Sequence, residues 1–274
     1  MKLGIIVDSS TGLTKKEVSS RGWGFVPLHV FLNEQDFADG IEITTEEVYQ
    51  KLNLDTNVRT SASSPAEILE LFEAMSSKYD HVIVYGLSKE LSSQTSNLTL
   101  FSNDFENIHV INSLGLSQII VSECERAQRL AKEGKEIEEI VESLRKNTKG
   151  YEALLIPHSL DWLVKGGRVN STVATMASML KIVPIIKFKD GKLDRHGKGR
   201  IFSKTLVKVT KEIIERFDGE EYDLYALHAG NKMIDEHINN LESITNKKIK
   251  KLFFPSTIAL HVGLEAIGIL AIYK

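Results

Sequence analysis

Hydroxyl side chains gather at a few points of this sequence, each next to a segment of strand character. Asp8-Ser9-Ser10-Thr11 follows the apolar run LGIIV, and Thr60-Ser61 precedes Ser64-Pro65. Gly86-Leu87-Ser88 and then Ser92-Ser93-Gln94-Thr95 follow HVIVYG, and Asn112-Ser113 follows NIHVI. Such residues have two chemical uses. They cap the unsatisfied N–H groups in the first turn of a helix. They also add hydrogen-bond donors, without a full charge, at helix ends whose partial positive charge favours an anion, so a rim lined by them suits a carboxylate or a phosphate. Either use fits any single loop, and it is the repetition over four loops in one half of the chain that brings the anion reading forward.

Other chemistries find less support. The segment GKLDRHGKG at 191 to 199 has five residues where a phosphate loop needs four, ends without Ser or Thr, and follows a hairpin signal instead of a strand. Gly86-Leu87-Ser88-Lys89-Glu90 lacks the second glycine of a nucleophile elbow, although Ser92 with His261 as base stays open as an esterase or acyltransferase pair. No metal site is expected, because no His-Glu-x-x-His, paired-cysteine or EF-hand spacing occurs. His158 and His228 read as ordinary hydrogen-bonded histidines, and Cys124, within SQIIVSECERA, reads as a small core residue.

The elements that would position the hydroxyls alternate. Strand character at 3 to 7, 25 to 32, 81 to 86 and 107 to 111 is separated by helical start signals. Thr14 with Glu17, Thr44 with Glu47, and Ser64 with Glu67 each fit a capping box, and Pro65 takes the first helical position. Alternation of this kind predicts a mostly parallel, Rossmann-like sheet with ligand sites at the carboxyl ends of its strands. The second half reads as a mixed α/β domain. Strands are expected at 151 to 156, in a hairpin around Asp190-Gly191, at 222 to 228, and near 250 to 255 and 266 to 273; helices are expected at 171 to 180, 203 to 216 and 231 to 243. The division falls near residue 150, giving domains 1–150 and 151–274.

Composition sets the class. The 274 residues, 42% hydrophobic and 26% charged, suffice for two modest cores, and one cysteine excludes an internal disulfide. A net charge of −3 gives no global attraction to nucleic acid, no apolar run reaches the roughly 18 residues of a membrane span, and no leader-like segment opens the chain. A cytoplasmic monomer without stable membrane insertion is expected.

The order of these motifs resembles the DegV family along essentially the whole chain. It runs from Asp8-Ser9 through Thr60-Ser61, Leu91-Ser92 and Asn112-Ser113 to Lys165-Gly166-Gly167-Arg168, then Lys181-Ile182-Val183-Pro184-Ile185, Asp190-Gly191, Arg200 and His261-Val262-Gly263. The resemblance implies a two-domain protein that holds a long-chain fatty acid between its domains, needs no cofactor and is itself no enzyme. It would present the carboxylate to a separate ATP-dependent kinase subunit and carry the acyl phosphate toward phospholipid synthesis. Thr60, Ser61, Ser92, Ser93 and His261 would hold the carboxylate. Ala174, Met176, Ala177, Met179 and Leu180 would line the acyl pocket, and Lys165, Arg168, Lys198 and Arg200 would face the kinase. Three departures bear on the site: Leu264-Glu265 stands where the family has Pro-Gly, Ser92-Ser93-Gln94 where it has Ser-Gly-Thr, and Asn112 where it has Asp.

Overall fold

The computed structural model describes residues 1–53, 55–146, 150–169, 173, 175 and 182–274. The chain divides into two compact units, Met1–Asn147 with Pro255–Thr257, and Thr148–Phe254 with Ile258–Lys274.

Unit one is built on the parallel sheet β2-β1-β6-β7, with β1 Leu3–Asp8, β2 Gly24–Val26, β6 His81–Tyr85 and β7 Ile108–Val110. Its strands are apolar at successive positions because both faces are covered. Ile5, Val7, Ile83 and Tyr85 point to one side, where they meet Ile120, Cys124 and Ala127 of α5 (Gln118–Lys132) and Ile140 and Leu144 of α6 (Ile137–Lys146). Ile6, Val82 and Val84 point to the other, against Ile68, Phe72 and Met75 of α3 (Pro65–Ser76) and Leu98 of α4 (Gln94–Ser102). The three capping boxes form as the spacing predicts, at the starts of α1 (Lys15–Ser20), α2 (Thr45–Lys51) and α3.

The run FVPLHVFL does not form one strand. Pro27 has no N–H to give a ladder, and the next amide, Leu28, donates to Ser9 Oγ at 3.1 Å. The chain therefore leaves the parallel sheet at Val26 and starts a second one at β3 (His29–Leu32), which pairs antiparallel with β4 (Gln35–Ala38) and β5 (Val58–Ser61). The sequence reading had no β4 or β5. The β3–β4 hairpin turns on Asn33 and Glu34, at φ 49° and 70°. Glycine at the second position removes the cost of holding a Cβ in the left-handed region, so Glu34→Gly is expected to stabilise the protein by about 0.5–1 kcal/mol, read as a rise in the urea midpoint at unchanged slope.

Unit two is built on the mixed sheet β10-β9-β8-β13-β11-β12. β8 (Tyr151–Ile156) and β11 (Tyr222–His228) flank the buried β13 (Ile267–Tyr273), both antiparallel to it, and β12 (Lys250–Phe253) runs parallel to β11. The expected hairpin joins β9 (Val183–Lys189) to β10 (Lys192–Gly199), with Asp190 at φ 50° and Gly191 at φ 76°. One apolar cluster joins Leu154, Ile185 and Ile269 of the sheet to Leu206, Val209 and Ile213 of α8 (Phe202–Arg216) and Ile238 and Leu241 of α9 (Ile234–Thr245). α9 starts later than the sequence suggests because Asn231 instead closes a turn, its Oδ1 accepting from Met233 N at 3.0 Å. α7 (Asp161–Gly166) and α10 (Ser256–Val262) were not anticipated. Residues 255 to 257 group with unit one, where Pro255 lies against Gly12 and Ser256 Oγ meets Thr45 Oγ1 at 3.0 Å.

Candidate functional site

Burial sorts the hydroxyls of the loops into two sets. Ser9, Ser10, Thr11, Ser88 and Ser113 are buried. They hold backbone: Ser9 Oγ receives Leu28 N–H, Thr11 Oγ1 donates to Asp8 O at 3.0 Å, and Ser113 Oγ accepts from Gly115 N at 3.1 Å. At the centre of this set Asp8 ends β1. Its Oδ1 accepts from the N–H and hydroxyl of Ser10, and its Oδ2 accepts from Leu87 N at 2.7 Å across the sheet. Burial pushes the Asp8 carboxyl up to about 6, with those three hydrogen bonds opposing the rise. These loops meet at the carboxyl end of the parallel sheet, but their hydroxyls are committed to building it.

The second set remains accessible. Thr60 and Ser92 are half-buried, and Ser61 and Ser93 are exposed. Thr60 and Ser61 end strand β5 of the antiparallel sheet, so they are not in a loop of the parallel one as the sequence suggested. Ser61 Oγ donates to Ala62 O at 3.3 Å, while Ser64, three residues on, caps α3. Ser93 occupies the N-cap of α4 without a side-chain cap bond. Ser92 Oγ accepts from Gln94 N at 3.2 Å, which leaves its O–H to donate.

His261 lies in α10, half-buried, and Gly166 at the end of α7 comes so close that a Cβ there would stand 2.6 Å from the imidazole Nδ1. Burial, and then the guanidinium of Arg168, push the His261 pKa down to about 4, so the ring is neutral at neutral pH and can donate one N–H. The loop after it contains the departure at Leu264-Glu265. Gly263, at φ 85°, lies against Trp162, and Glu265 itself takes φ 65°, a conformation that suits glycine. It is held there by Glu265 N donating to Ala229 O at 2.7 Å and by Asn231 Nδ2 donating to Glu265 O at 2.9 Å.

Lys165, Arg168, Lys198 and Arg200 are all exposed, and Lys165 and Arg200 adjoin in sequence the exposed apolar side chains Val164 and Ile201. Ala174, Met176, Ala177, Met179 and Leu180 lie outside the described residues. His228 departs from expectation: it is buried within β11, its pKa is depressed to about 4 mainly by burial, and its Nδ1 has no partner among the described residues.

Sequence reasoning missed Asp39. This carboxyl, buried after β4, accepts from Ser9 and Ser256, and burial pushes it up to about 7, with the neighbouring charge of Asp8 adding to the rise. Nothing in Ala38-Asp39-Gly40 signals it; only the fold brings Ser9 and Ser256 to it. The described residues contain no group of three or more His, Cys, Asp or Glu side chains suited to a metal ion, and no helix of theirs is long and apolar enough to cross a membrane.

A parallel, helix-covered sheet with a small antiparallel annex, followed by a unit on a six-stranded mixed sheet, defines a two-domain α/β protein with hydroxyl-rich βα loops. The chain belongs to the DegV family, whose model, described as an uncharacterised protein of that family, matches residues 2–274. A DegV domain-containing protein of Mycoplasmopsis pulmonis is 37% identical over 271 residues, 98% of this chain and 94% of that protein. Among solved structures, DegV of Bacillus subtilis, described as a fatty acid binding protein, superposes with a TM-score of 0.88 at 23% identity and covers 100% of both chains. A stearic acid-binding protein of Eubacterium ventriosum does so with a TM-score of 0.86 at 24% identity, covering 99% of this chain and 98% of that one. The two structural likenesses establish the shared fold.

Proposed function

We propose that this protein binds a long-chain fatty acid, its carboxylate held by Thr60, Ser61, Ser92, Ser93 and His261, and is not itself an enzyme. The observation that carries the reading is the sorting of the hydroxyls. Those of the first and fourth loops are consumed by the fold, whereas Thr60, Ser61, Ser92 and Ser93 stay accessible at the end of β5 and the start of α4. The fatty acid binding described for proteins of the same fold supports the choice of anion.

The energetics suit such a ligand. Burial of about fourteen methylenes supplies on the order of 11 kcal/mol at roughly 0.8 kcal/mol each, before association costs. Hydrogen bonds to a charged head group add about 1.5–3 kcal/mol apiece. The tail sets affinity, and neutral hydroxyls with a neutral imidazole set where the carboxylate lies. Donors without full charge accommodate a carboxylate and then an acyl phosphate without retaining either too strongly. In this reading a separate ATP-dependent kinase subunit phosphorylates the head group, Lys165, Arg168, Lys198 and Arg200 meet an acidic face of that subunit, and the acyl phosphate passes to phospholipid synthesis. The low basicity of His261 favours a hydrogen-bonding role over that of a general base for Ser92 in an esterase.

Native mass spectrometry of the purified protein, followed by organic extraction, tests the proposal. A stoichiometric long-chain fatty acid is expected; an empty protein that also fails to take up added palmitic acid overturns it. Thr60→Ala and Ser92→Ala are each expected to weaken palmitic acid binding roughly tenfold, since each removes one hydrogen bond to a charged group.

A further inference from the structure

We propose, on the basis of that fatty-acid reading, that Gln94 is a positioning residue that sets the spacing of the head-group hydroxyls by tying the β5 segment to the start of α4. Gln94 is fully buried. Its Oε1 accepts from Ser63 N at 3.0 Å and its Nε2 donates to Ser63 Oγ at 2.8 Å, so the amide grips one residue at two points. Ser63 Oγ donates its single proton to Pro27 O at 2.6 Å, so toward Gln94 it acts only as an acceptor. The amide orientation is thereby fixed, nitrogen to the hydroxyl and oxygen to the backbone N–H.

The placement of these bonds gives them their consequence. Ser63 lies two residues after Ser61, and the backbone N–H of Gln94 donates to Ser92 Oγ at 3.2 Å. One residue therefore contacts the Ser92 hydroxyl with its main chain and the segment carrying Thr60 and Ser61 with its side chain. A carboxylate shared between two such segments needs their donors held within about 0.5 Å of the working geometry, which side chains locked by buried hydrogen bonds supply. A glutamate would set a second acceptor against Ser63 Oγ, whose proton is already committed.

The test compares two probes with the same tail, palmitic acid and 1-hexadecanol, titrated into the wild type, Gln94→Leu and Ser63→Ala. The wild type is expected to prefer the acid. Gln94→Leu should weaken the acid about tenfold and leave the alcohol within about twofold, so the preference collapses. Ser63→Ala keeps the N–H to Oε1 bond and deletes the second contact, together with the Ser63 Oγ bond to Pro27 O. It guards against a Leu variant that fails to fold, and should narrow the preference about threefold. An unchanged acid-to-alcohol ratio in a folded variant overturns the proposal, as does equal weakening of both probes, the mark of a residue that only supports the fold. A wild type that binds neither probe overturns the fatty-acid reading itself, and the positioning role with it. A wild type that binds both probes equally leaves that reading standing and overturns the positioning role alone.

Discussion

Replacement of Asp39 by asparagine is expected to change the pH dependence of stability more than any other single substitution in unit one. Burial raises the Asp39 carboxyl from its ordinary 3.8 to about 7, so the folded protein binds a proton there that the unfolded chain has released. Between those values the native state holds more protons than the unfolded state, so the contribution is full below about pH 4 and is lost as pH rises through 7. At about 1.4 kcal/mol per unit the loss is on the order of 4 kcal/mol. Asp8, raised to about 6, acts in the same direction over a narrower window. Tyr49, half-buried, is pushed up by desolvation of its hydroxyl and by the Asp39 charge, so it stays neutral across the window.

The wild-type curve alone will not display this. His228 and His261, both depressed to about 4, contribute with the opposite sign, because their neutral folded forms gain stability as pH rises from 4 through the ordinary 6.5. The difference between wild type and Asp39→Asn isolates the carboxyl. Urea unfolding at pH 4 to 8 is expected to show the wild type more stable at the acid end and the gap closing by several kcal/mol by pH 7. A gap independent of pH would show that Asp39 does not titrate in that window.

Gly86→Ala is expected to destabilise the protein by about 2–4 kcal/mol, against the gain that replacing a strand-end glycine would otherwise bring. A Cβ on Gly86 would stand 2.9 Å from Asp8 Oδ2, 2.9 Å from Leu98 Cδ1 and 3.4 Å from Thr95 Oγ1. None of the three is a loose end. Asp8 Oδ2 receives Leu87 N–H, Thr95 Oγ1 donates to Leu87 O at 2.7 Å, and Leu98 is fully buried against α3 and the sheet. Room for the methyl comes only by breaking the Asp8 to Leu87 bond, which leaves a buried carboxyl with one partner fewer. A lowered urea midpoint at unchanged slope is the expected reading; stability within 0.5 kcal/mol of the wild type would mean that the strand end shifts freely.

Local chemistry was legible wherever a few neighbouring residues decide it. The capping boxes at Thr14, Thr44 and Ser64, the Asp190-Gly191 hairpin and three strands of the parallel sheet, Leu3–Asp8, His81–Tyr85 and Ile108–Val110, formed where the sequence placed them, because each is settled within four to eight residues. The order of motifs along the chain likewise carried the family. Other features depend on residues far apart. Pro27 divides FVPLHVFL between two sheets because Leu28 finds an acceptor in Ser9, 19 residues earlier. The gripping of Ser63 by Gln94 spans 31 residues, and that of Ser256 by Thr45 spans 211.

The sequence by itself therefore determined that hydroxyls would gather at the ends of strands and starts of helices, since capping and alternation are local. It did not determine which hydroxyls stay accessible. Ser9, Ser10, Ser88 and Ser113 have the same chemistry as Thr60, Ser61, Ser92 and Ser93, yet the first four are buried by the fold and the second four keep exposed surface. Only tertiary structure decided that, because a hydroxyl is committed when the fold brings it an unsatisfied buried N–H, carbonyl or carboxyl, and those partners come from other elements of the chain.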